Sequence, residues 1–197
     1  MTFSIIIPAH NAADRIEKTI MSVWEQSFKD WELIVVCDRC EDGTDKVAEE
    51  HGADKVIHVD FGNDGLTRSA GLDAATGDWV LFMDDDDWFL HEFALREIRE
   101  HLTDDIDVLL FGFIFRHIGV AHPVRANGAL WRAVWNKCYR REFIKDLKFH
   151  EIQYESDLDW TRRLFQKGPV YATLDEPLYY YNYLRPGSLS VQKEAEK

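Results

Sequence analysis

Cysteine, basic charge and long apolar runs are all scarce in this chain of 197 residues. Its three cysteines are an odd, low number that argues against a disulfide framework and favours a reducing, cytoplasmic setting. Lysine and arginine together number 23 against 36 acidic residues, so the formal net charge is -13. Nucleic acids and anionic membranes both reward basic patches, and neither is therefore expected as a partner.

No apolar run approaches the roughly 18 residues that a membrane-spanning helix requires, so no integral membrane segment is expected. The first residues also lack the basic and apolar stretches of a signal peptide. With 46% hydrophobic residues, the chain is long enough for one packed core and short for two. We therefore predict a single domain over residues 1–197, made of a regular part (1–103) and an irregular part (104–197).

Short apolar runs alternate with amphipathic stretches in the regular part. The apolar runs predict strands at residues 3–8, 33–37, 56–59 and 79–83. The amphipathic stretches predict helices at residues 16–24, 44–51, 66–75 and 91–102. A series of this kind implies an α/β fold, a Rossmann-like three-layer sandwich with a mainly parallel central sheet and helices on both faces.

The irregular part has weaker patterns. Residues 108–115 predict a long apolar strand, which we expect at a sheet edge, and residues 157–166 predict a helix. Two further apolar or aromatic runs lie at residues 170–174 and 179–183. No repeat or linker interrupts the chain, which favours the single-domain prediction.

Four consecutive aspartates, residues 84–87, follow the apolar run 79–83 and precede an aromatic pair. A buried strand cannot hold four adjacent carboxylates, so we predict that it ends at Asp84 and presents the acids at an exposed edge. Adjacent carboxylates repel each other and favour a bound cation. Their hard oxygens suit Mg²⁺ or Mn²⁺, which commonly binds a substrate phosphate. The alternative is a solvated acidic turn.

Polar clusters follow three of the predicted strands at the point where each strand ends, at residues 8–11, 38–42 and 84–87. In open α/β sheets, ligands bind beyond the carboxyl ends of the strands. The three clusters therefore predict one common nucleotide site.

Several ordered segments resemble the family 2 glycosyltransferases, which have the GT-A fold. Residues 4–11 resemble that family's opening strand, which usually ends Pro-Ala-Tyr-Asn, and residues 35–44 resemble its Val-Asp-Asp-Gly-Ser-Thr-Asp-Gly-Thr loop. Residues 65–71 are similar to its Ala-Arg-Asn-x-Gly segment, and residues 82–88 to its DxD segment, Phe-Leu-Asp-Ser-Asp-Asp-x-Trp. The resemblance extends over nearly the whole chain, through residues 135–141 and 181–188.

This resemblance implies a metal-dependent, inverting transfer of a sugar from a nucleoside diphosphate sugar, with uridine the favoured base. The acceptor would be a hydroxyl of a carbohydrate or glycoconjugate, as in glycan or polysaccharide synthesis. The regular part would be the donor half and the irregular part the acceptor half of one GT-A domain. The residues that the resemblance assigns to the donor are Pro8, Asn11, Asp38, Arg68, Asp84 and Asp87.

The same resemblance assigns the divalent cation, Mn²⁺ or Mg²⁺, to the acidic turn. Asp86 would be the direct ligand, with Asp84 and Asp87 as further ligands or ribose partners. Asp85 occupies the variable position of the family's segment and is expected to be exposed to solvent.

The acceptor hydroxyl must lose a proton as it attacks, which requires a positioned carboxylate. The family places this base in a Glu-Asp pair at the start of a helix, which corresponds here to Ser156 and Asp157. Asp157 is therefore the predicted catalytic base, and Glu155 is the second choice. The alternative is that these acids only cap the helix, whose N-terminus favours negative charge.

Arg68 is expected to contact a phosphate or to orient the acidic turn, the alternative being a solvated helix arginine. Lys137 and Arg185 are weaker candidates for phosphate contacts. Large aromatic residues usually belong to a core, but three tryptophans are candidates for stacking on sugar faces: Trp88, Trp131 and Trp160.

The chain departs from the family pattern around the expected base pocket. His10 replaces the usual Tyr, Cys37 replaces the first acid of the loop, and residues 39–40 replace its Gly-Ser. These departures, with Ser156, motivate an alternative function, a nucleotide-sugar or glycan-binding domain without turnover. A nucleotidyltransferase also uses carboxylates and a metal, but it usually has a Gly-rich basic loop after the first strand, which this chain lacks.

Overall fold

The computed structural model describes residues 1–117, 120–129 and 132–183, so Trp131, Arg185 and the end of the segment 181–188 lie outside the described residues. The strands are β1 (Phe3–Ala9), β2 (Trp31–Asp38), β3 (Lys55–Val59), β4 (Trp79–Phe82), β5 (Trp88–Phe89), β6 (Val108–His117), β7 (Val120–Val124), β8 (Lys137–Arg140) and β9 (Tyr171–Tyr181). The helices are α1 (Ile16–Trp24), α2 (Thr44–Glu50), α3 (Asp64–Ala74), α4 (Ala94–His101), α5 (Arg141–Ile144) and α6 (Ser156–Gln166), with a short 3-10 helix at Ala126–Ala129.

The first four strands pair only in parallel with one another, in the order β3-β2-β1-β4. Phe3, Ile5, Ile6 and Ile7 of the central strand β1 are completely buried, so both of its faces are covered. Parallel strands covered on both faces are mostly apolar, and β1 fits this pattern except for the buried Ser4. The predicted α/β fold is therefore confirmed.

Two hydrophobic cores lie on opposite faces of this sheet. Side chains at positions 5 and 7 of β1 pack in one core with α1 and α4, whereas Ile6 packs in the other core with Leu72 of α3 and Trp160 of α6. Successive side chains of a strand point to opposite faces, which explains the division. The result is the expected three-layer sandwich.

The second half of the chain extends the sheet with mixed strand directions. β4 pairs antiparallel with β8, β8 pairs antiparallel with β6, and β6 pairs parallel with β9. β5 and β7 complete the sheet by antiparallel pairing with β9 and β6. The predominance of parallel strands therefore belongs to the first half.

The expectation that residues 108–115 form an edge strand is wrong. β6 is hydrogen-bonded on both sides, because β8 and β9 flank its first half and β7 and β9 its second half. Residues 108–111 are completely buried, which an edge strand with one exposed flank would not achieve. The runs at 170–174 and 179–183 belong largely to one continuous strand, β9.

Helix α3 lies very close to the sheet because of Gly71. A Cβ atom at this position would collide with Cγ2 of Ile6 in β1 and press on Cγ2 of Val36 in β2. The helix begins at Asn63, whose side chain accepts a hydrogen bond of 3.0 Å from the N–H of Leu66. This cap and this close approach fix both the start and the depth of the helix.

One sheet contains strands from both halves of the chain, and the single-domain assignment over residues 1–197 stays a prediction. No helix in the described ranges combines the length and the apolar character needed to cross a bilayer.

Candidate active site

A single cavity of about 1340 Å³ opens at the carboxyl ends of β1, β2 and β4. It brings together residues that are far apart in sequence, including all but one of those predicted to bind the donor or the metal or to act as the base. The predicted residues that line it are Pro8, Asn11, Asp38, Arg68, Asp84, Asp86, Glu155 and Asp157. Asp87 does not line the cavity. The prediction that the polar strand ends meet at one place therefore matches this geometry.

Arg68 of α3 is the centre of the charged side of the cavity. Its side chain is only 5% exposed and forms ion pairs with Asp64 at 2.6 Å, Asp84 at 2.7 Å and Asp157 at 3.6 Å. A buried guanidinium requires such partners, because isolated charges are expensive to remove from water. The alternative of a solvated helix arginine is therefore wrong. The geometry favours a role in orienting the acidic turn, and a contact to phosphate stays a prediction.

The carboxyl groups of Asp84 and Asp157 both have raised pKa values. Burial raises the pKa of Asp84 to about 6, against the opposing charge of Arg68 and with a further contribution from Asp86. Burial likewise raises the pKa of Asp157 to about 6, against Arg68 and with contributions from Asp84 and Asp64. Two carboxyl groups that titrate near neutrality in one cavity mark a candidate catalytic site.

Asp85 is not the solvent-exposed bystander that its position predicts. Nε and Nη2 of Arg15 donate to its two carboxylate oxygens, each over 3.1 Å. The Asp85 side chain is 13% exposed and that of Arg15 is 18% exposed. This bidentate pair ties the acidic turn to the residue that precedes α1, and Arg15 also donates to the carbonyl oxygens of His10 and Asn11.

Asp87 differs from its three neighbours because it is completely buried. Its carboxyl group accepts hydrogen bonds from the hydroxyl of Tyr179 at 2.7 Å and from the N–H of Asn182 at 2.8 Å. Burial raises its pKa well above the usual range, with contributions from the charges of Asp84 and Asp86. This geometry favours a role for Asp87 in anchoring the end of β9. The assignment of Asp87 to the metal and the donor stays a prediction, which its buried environment disfavours.

The carboxylate of Asp38, at the end of β2, accepts four hydrogen bonds from the segment that leads into α3. The donors are the N–H groups of Phe61 (2.8 Å), Gly62 (2.9 Å) and Asn63 (3.0 Å) and the hydroxyl of Thr67 (2.8 Å). Burial acts to raise the pKa of Asp38, but these bonds outweigh it and lower the pKa. Asp38 therefore presents an ionised carboxylate at the cavity and fixes the start of α3.

The turn after β1 is held by its own side chains. Asn11 has a left-handed backbone (φ 45°), and its Oδ1 accepts a hydrogen bond of 2.9 Å from the N–H of Glu41. Nδ1 of His10 lies 2.7 Å from the carbonyl oxygen of Asp38, so this nitrogen carries a proton. His10, which replaces the family's Tyr, thus connects the ends of β1 and β2.

The start of α6 carries the two candidate bases. Glu155 is exposed and has a left-handed backbone (φ 65°), whereas Asp157 lies in the first turn of the helix. Ser156, in the position of the family's Glu, is buried and its Oγ lies 3.3 Å from both carboxylate oxygens of Asp64. Oδ1 of Asp157 is buried with no hydrogen-bond partner among the described residues. The geometry therefore favours Asp157 over Glu155 as an acceptor of protons.

The remaining side of the cavity is aromatic. We call this the aromatic wall and define it as Phe113, Phe115, Trp135, Tyr181 and Tyr183. The charged wall is correspondingly defined as Asp38, Arg68, Asp84 and Asp86. The indole of Trp135 stacks on the ring of Tyr181 with ring centroids 4.7 Å apart. The rings of Phe113 and Trp135 form a T-shaped pair, also with centroids 4.7 Å apart.

Three further candidates, Trp88, Trp160 and Lys137, lie away from the cavity lining. Trp160 is completely buried in the core, so the prediction that it stacks on a sugar is wrong. Trp88 stacks on Tyr180 with centroids 4.0 Å apart, beside the main cavity. Lys137 is completely buried, so its interpretation as a phosphate contact is also wrong.

A divalent cation fits the carboxylates of the acidic turn. Among the described residues, no group of three or more His, Cys, Asp or Glu side chains is placed to surround a metal ion. Within the described ranges the acidic turn offers one or two carboxylates, which is the usual share for Mg²⁺ when water and substrate phosphates complete its shell. Asp86 and Asp84 both line the cavity and fit this requirement.

Three residues that contact the charged groups of the site are missing from the sequence predictions: Arg15, Asp64 and Tyr179. A signal for Asp64 exists, because it precedes Arg68 by four residues in a predicted helix, a spacing that pairs opposite charges. Arg15 and Tyr179 lie 70 and 92 residues from Asp85 and Asp87, and no local pattern indicates such pairs.

A parallel sheet that ends in carboxylates, continued by mixed strands that complete the cavity, defines the GT-A class of α/β folds. Within that class the chain belongs to glycosyl transferase family 2, since the family's sequence profile matches residues 4–164. The resemblance inferred from the motifs is therefore confirmed.

Known proteins similar to this chain include an uncharacterized glycosyltransferase, EpsJ, of Bacillus subtilis (strain 168), which is 29% identical over 95% of this chain and 62% of its own length. The crystal structure of Staphylococcus aureus TarS 1-349 in complex with UDP-GlcNAc superposes with a TM-score of 0.83 at 24% identity, over 95% of this chain and 60% of that one.

Glucosyl-3-phosphoglycerate synthase from Mycobacterium tuberculosis, in complex with Mn²⁺, UDP and glucosyl-3-phosphoglycerate, superposes with a TM-score of 0.73 at 20% identity. That match covers 98% of this chain and 75% of the synthase. At these identities the structural likeness establishes the fold. The chain spans about three fifths of the length of EpsJ and of the TarS fragment.

Proposed function

We propose that this chain is a metal-dependent, inverting glycosyltransferase that moves a sugar from a nucleoside diphosphate sugar to a hydroxyl acceptor in glycan or polysaccharide synthesis. One observation carries the proposal. A single cavity is lined both by carboxylates at the strand ends, Asp84 and Asp86, and by a separate carboxylate, Asp157, whose pKa of about 6 suits a general base near neutral pH.

The donor is proposed to be a UDP-sugar. Two proteins with the same fold support this choice, because TarS binds UDP-GlcNAc and the mycobacterial synthase binds UDP in their crystal structures. In this chain, Asp38 offers an ionised carboxylate at the end of β2, where the family resemblance places the uracil base of the donor. Pro8 and Asn11 line the same end of the cavity.

The cation is proposed to be Mn²⁺ or Mg²⁺, held by Asp86 and Asp84. The synthase structure contains Mn²⁺, which supports a divalent ion in this fold. When bound, such an ion acts as a Lewis acid that stabilises the departing diphosphate. Arg68 keeps the carboxylate of Asp84 in place through its 2.7 Å ion pair, so the ligand is oriented before the ion arrives.

The proton of the acceptor hydroxyl is proposed to go to Asp157. Its side chain is 20% exposed and lines the cavity, so the carboxylate can take a hydrogen bond from that hydroxyl, and Arg68 lies 3.6 Å from its Oδ1. The aromatic wall offers flat apolar faces, which suit the C–H faces of a carbohydrate acceptor. A cytoplasmic location remains a prediction from the small number of cysteines.

The experiment that tests donor and metal together is thermal unfolding with a panel of nucleoside diphosphates and their sugars, with and without Mn²⁺. We expect a UDP-sugar to raise the midpoint by about 5 °C only when Mn²⁺ is present. Asp86→Asn should abolish this rise, whereas Asp104→Asn, at an exposed turn far from the cavity lining, should leave it intact. If no nucleotide responds in the presence of metal, the proposal fails.

A nucleotide-sugar-binding domain without turnover is the second candidate. The observation that favours it is Ser156, which replaces the family's Glu and whose hydroxyl donates to the carboxylate of Asp64. Asp157→Asn separates the two candidates, because it should abolish transfer and leave the thermal response to the UDP-sugar unchanged. Wild-type protein that binds the donor and never transfers or hydrolyses it would favour the binding domain.

A further inference from the structure

Arg15, the residue that precedes α1, uses every N–H group of its guanidinium in a hydrogen bond. Nε and Nη2 donate to the two carboxylate oxygens of Asp85, each over 3.1 Å. Nη2 also donates to the carbonyl oxygen of His10 at 3.2 Å, and Nη1 donates to the carbonyl oxygen of Asn11 at 2.8 Å and to Oδ1 of Asp14 at 2.9 Å. A guanidinium bound in this way has one fixed orientation, which a solvated surface arginine does not have.

Asp85 is a central residue of the β-turn that carries the proposed metal ligands. The N–H of Asp87 donates to the carbonyl oxygen of Asp84 at 3.2 Å and closes this turn. The other central residue is Asp86, which is joined to Asp85 by one planar peptide group. Fixing Asp85 therefore restricts rotation of the peptide group that carries Asp86. The family's segment usually has Ser at this position, and a single hydroxyl cannot form a bidentate pair with a guanidinium.

The acidic turn is held at both ends as well as in the middle. Arg68 pairs with Asp84, its first residue, at 2.7 Å, and the hydroxyl of Tyr179 donates to Asp87, its last residue, at 2.7 Å. Arg15 adds the contact at the middle of the turn. Its side chain is 18% exposed and that of its partner is 13% exposed, so the pair is largely shielded from water and less screened than a surface ion pair.

We propose that Arg15 is a positioning residue for the divalent cation, and that through Asp85 it fixes the acidic turn relative to the donor end of the cavity. This inference rests on the proposed function, because it concerns the cation and the nucleoside diphosphate. The bonds to the carbonyl oxygens of His10 and Asn11 join Arg15 to the turn after β1, which lines the same cavity. A diphosphate and the carboxylates of the acidic turn would share one cation, so their relative placement determines how far the cation strengthens nucleotide binding.

The charge of Arg15 offers an alternative explanation that the test must separate from its geometry. A positive charge repels a cation, so removing it would strengthen metal binding by Coulomb's law alone. Two substitutions keep the charges and change the geometry. Arg15→Lys keeps the positive charge and loses the planar fork, and Asp85→Glu keeps the carboxylate and moves it by one methylene group. A role of charge alone predicts wild-type behaviour in both variants.

The test is the affinity of the protein for UDP, measured by isothermal titration calorimetry with saturating Mn²⁺ and with EDTA. The ratio of the two dissociation constants measures how far the cation strengthens binding. We expect Arg15→Lys and Asp85→Glu each to reduce this ratio about tenfold, because loss of the groups that orient a metal ligand has effects of this size. The double variant should reduce the ratio no further than the single variants, because both act through one contact.

Arg140 provides a matched control away from the cavity. Its side chain is 28% exposed, and its guanidinium donates to the carbonyl oxygens of Ile106 and Thr103, each over 2.9 Å. None of these three residues lines the cavity. Arg140→Lys should lower the midpoint of thermal unfolding and leave the ratio unchanged. An equal fall of the ratio in Arg140→Lys would indicate a general loss of structure and would overturn the inference.

The outcomes separate this inference from the proposed function. A wild-type ratio in Arg15→Lys and in Asp85→Glu would overturn the inference and leave the proposed function standing. Wild-type protein whose affinity for UDP does not respond to Mn²⁺ would overturn the proposed metal dependence, and the inference with it. If Arg15→Lys does not fold, Asp85→Glu decides alone: a reduced ratio supports the inference and an unchanged ratio overturns it.

Discussion

The two walls of the cavity are built by different forces. The charged wall comes from the strand ends of the first half, and its polar groups bind one another: Asp38 accepts four hydrogen bonds and Arg68 meets three carboxylates. The aromatic wall comes from β6, β9 and the segment before β8, and its rings pack against each other. Hydrogen bonds and ion pairs are directional and ring contacts are much less so. Substitutions in the charged wall should therefore cost more than those in the aromatic wall.

The largest effect is expected for Arg68→Leu, because it leaves three carboxylates around a buried site without their cation. We expect a loss of about 3–5 kcal/mol in the free energy of unfolding, measured by urea denaturation. Arg96→Leu is the control, since that arginine is 56% exposed and pairs with Glu100 at 3.5 Å on the surface. It should change stability by less than about 1 kcal/mol. Similar losses in both variants would contradict the central role of Arg68.

Tyr179 joins the two walls, and removing its hydroxyl should have the second largest effect on stability. The hydroxyl donates to Asp87 and accepts from the N–H of Asp84, while the ring stacks on Trp135 with centroids 5.1 Å apart. Tyr179→Phe keeps the ring and leaves a buried carboxyl short of a donor, so we expect a loss of about 1–3 kcal/mol. Tyr171→Phe, at a tyrosine that is 49% exposed, should be nearly neutral in the same urea titration.

The pH dependence of transfer tests Asp157, the proposed base. A general base must be ionised, and the pKa of Asp157 is raised to about 6, so its ionised fraction falls as the pH drops through 6. We expect the transfer rate to decrease about tenfold for each pH unit below that value. Initial rates between pH 4.5 and 8 at saturating donor measure this. A rate that stays flat down to pH 5 would exclude Asp157 as the base.

The smallest effect is expected in the aromatic wall. Tyr181→Leu removes one stacked ring from the wall that we propose binds the acceptor, and a loss of about 1 kcal/mol corresponds to a fivefold higher KM for the acceptor with an unchanged KM for the donor. Tyr180→Leu is the matched control, because Tyr180 is the preceding residue of β9 and stacks on Trp88 outside the main cavity. Equal changes in the acceptor KM would argue against acceptor binding at this wall.

The charged wall was largely predictable from the sequence, because its residues stand where apolar runs end. The run before Asp84 and the polar residues after β1 and β2 mark strand ends, and parallel strands bring such ends together. Local patterns do not specify partners, however. The same four aspartates therefore differ in ways that no spacing indicates: Arg15 binds Asp85, and Tyr179 buries Asp87.

The second half was less predictable because its pairings are long-range. The apolar run of β6 fits an edge strand or a central strand equally well, and the choice depends on β8 and β9, which follow much later in the chain. Lys137 illustrates the same limit, since a lysine beside aromatic residues gives no sign that it will be completely buried. Its burial depends on the segment that folds over it.

Helix α3 lies close to the sheet because Gly71 has no side chain, and this close approach also determines where Arg68 lies in the site. Gly71 lies less than one turn after Arg68 on the same helix, so any side chain at position 71 would lift the helix from Ile6 and carry the guanidinium with it. Asp84 and Asp157 would then be separated from Arg68, whereas Asp64 lies on the same helix and would move with it. The distance between α3 and the sheet thus influences the pKa values of the carboxyl groups that pair with Arg68. Variation at Gly71, a residue that touches no substrate, can therefore alter the pH at which this protein works.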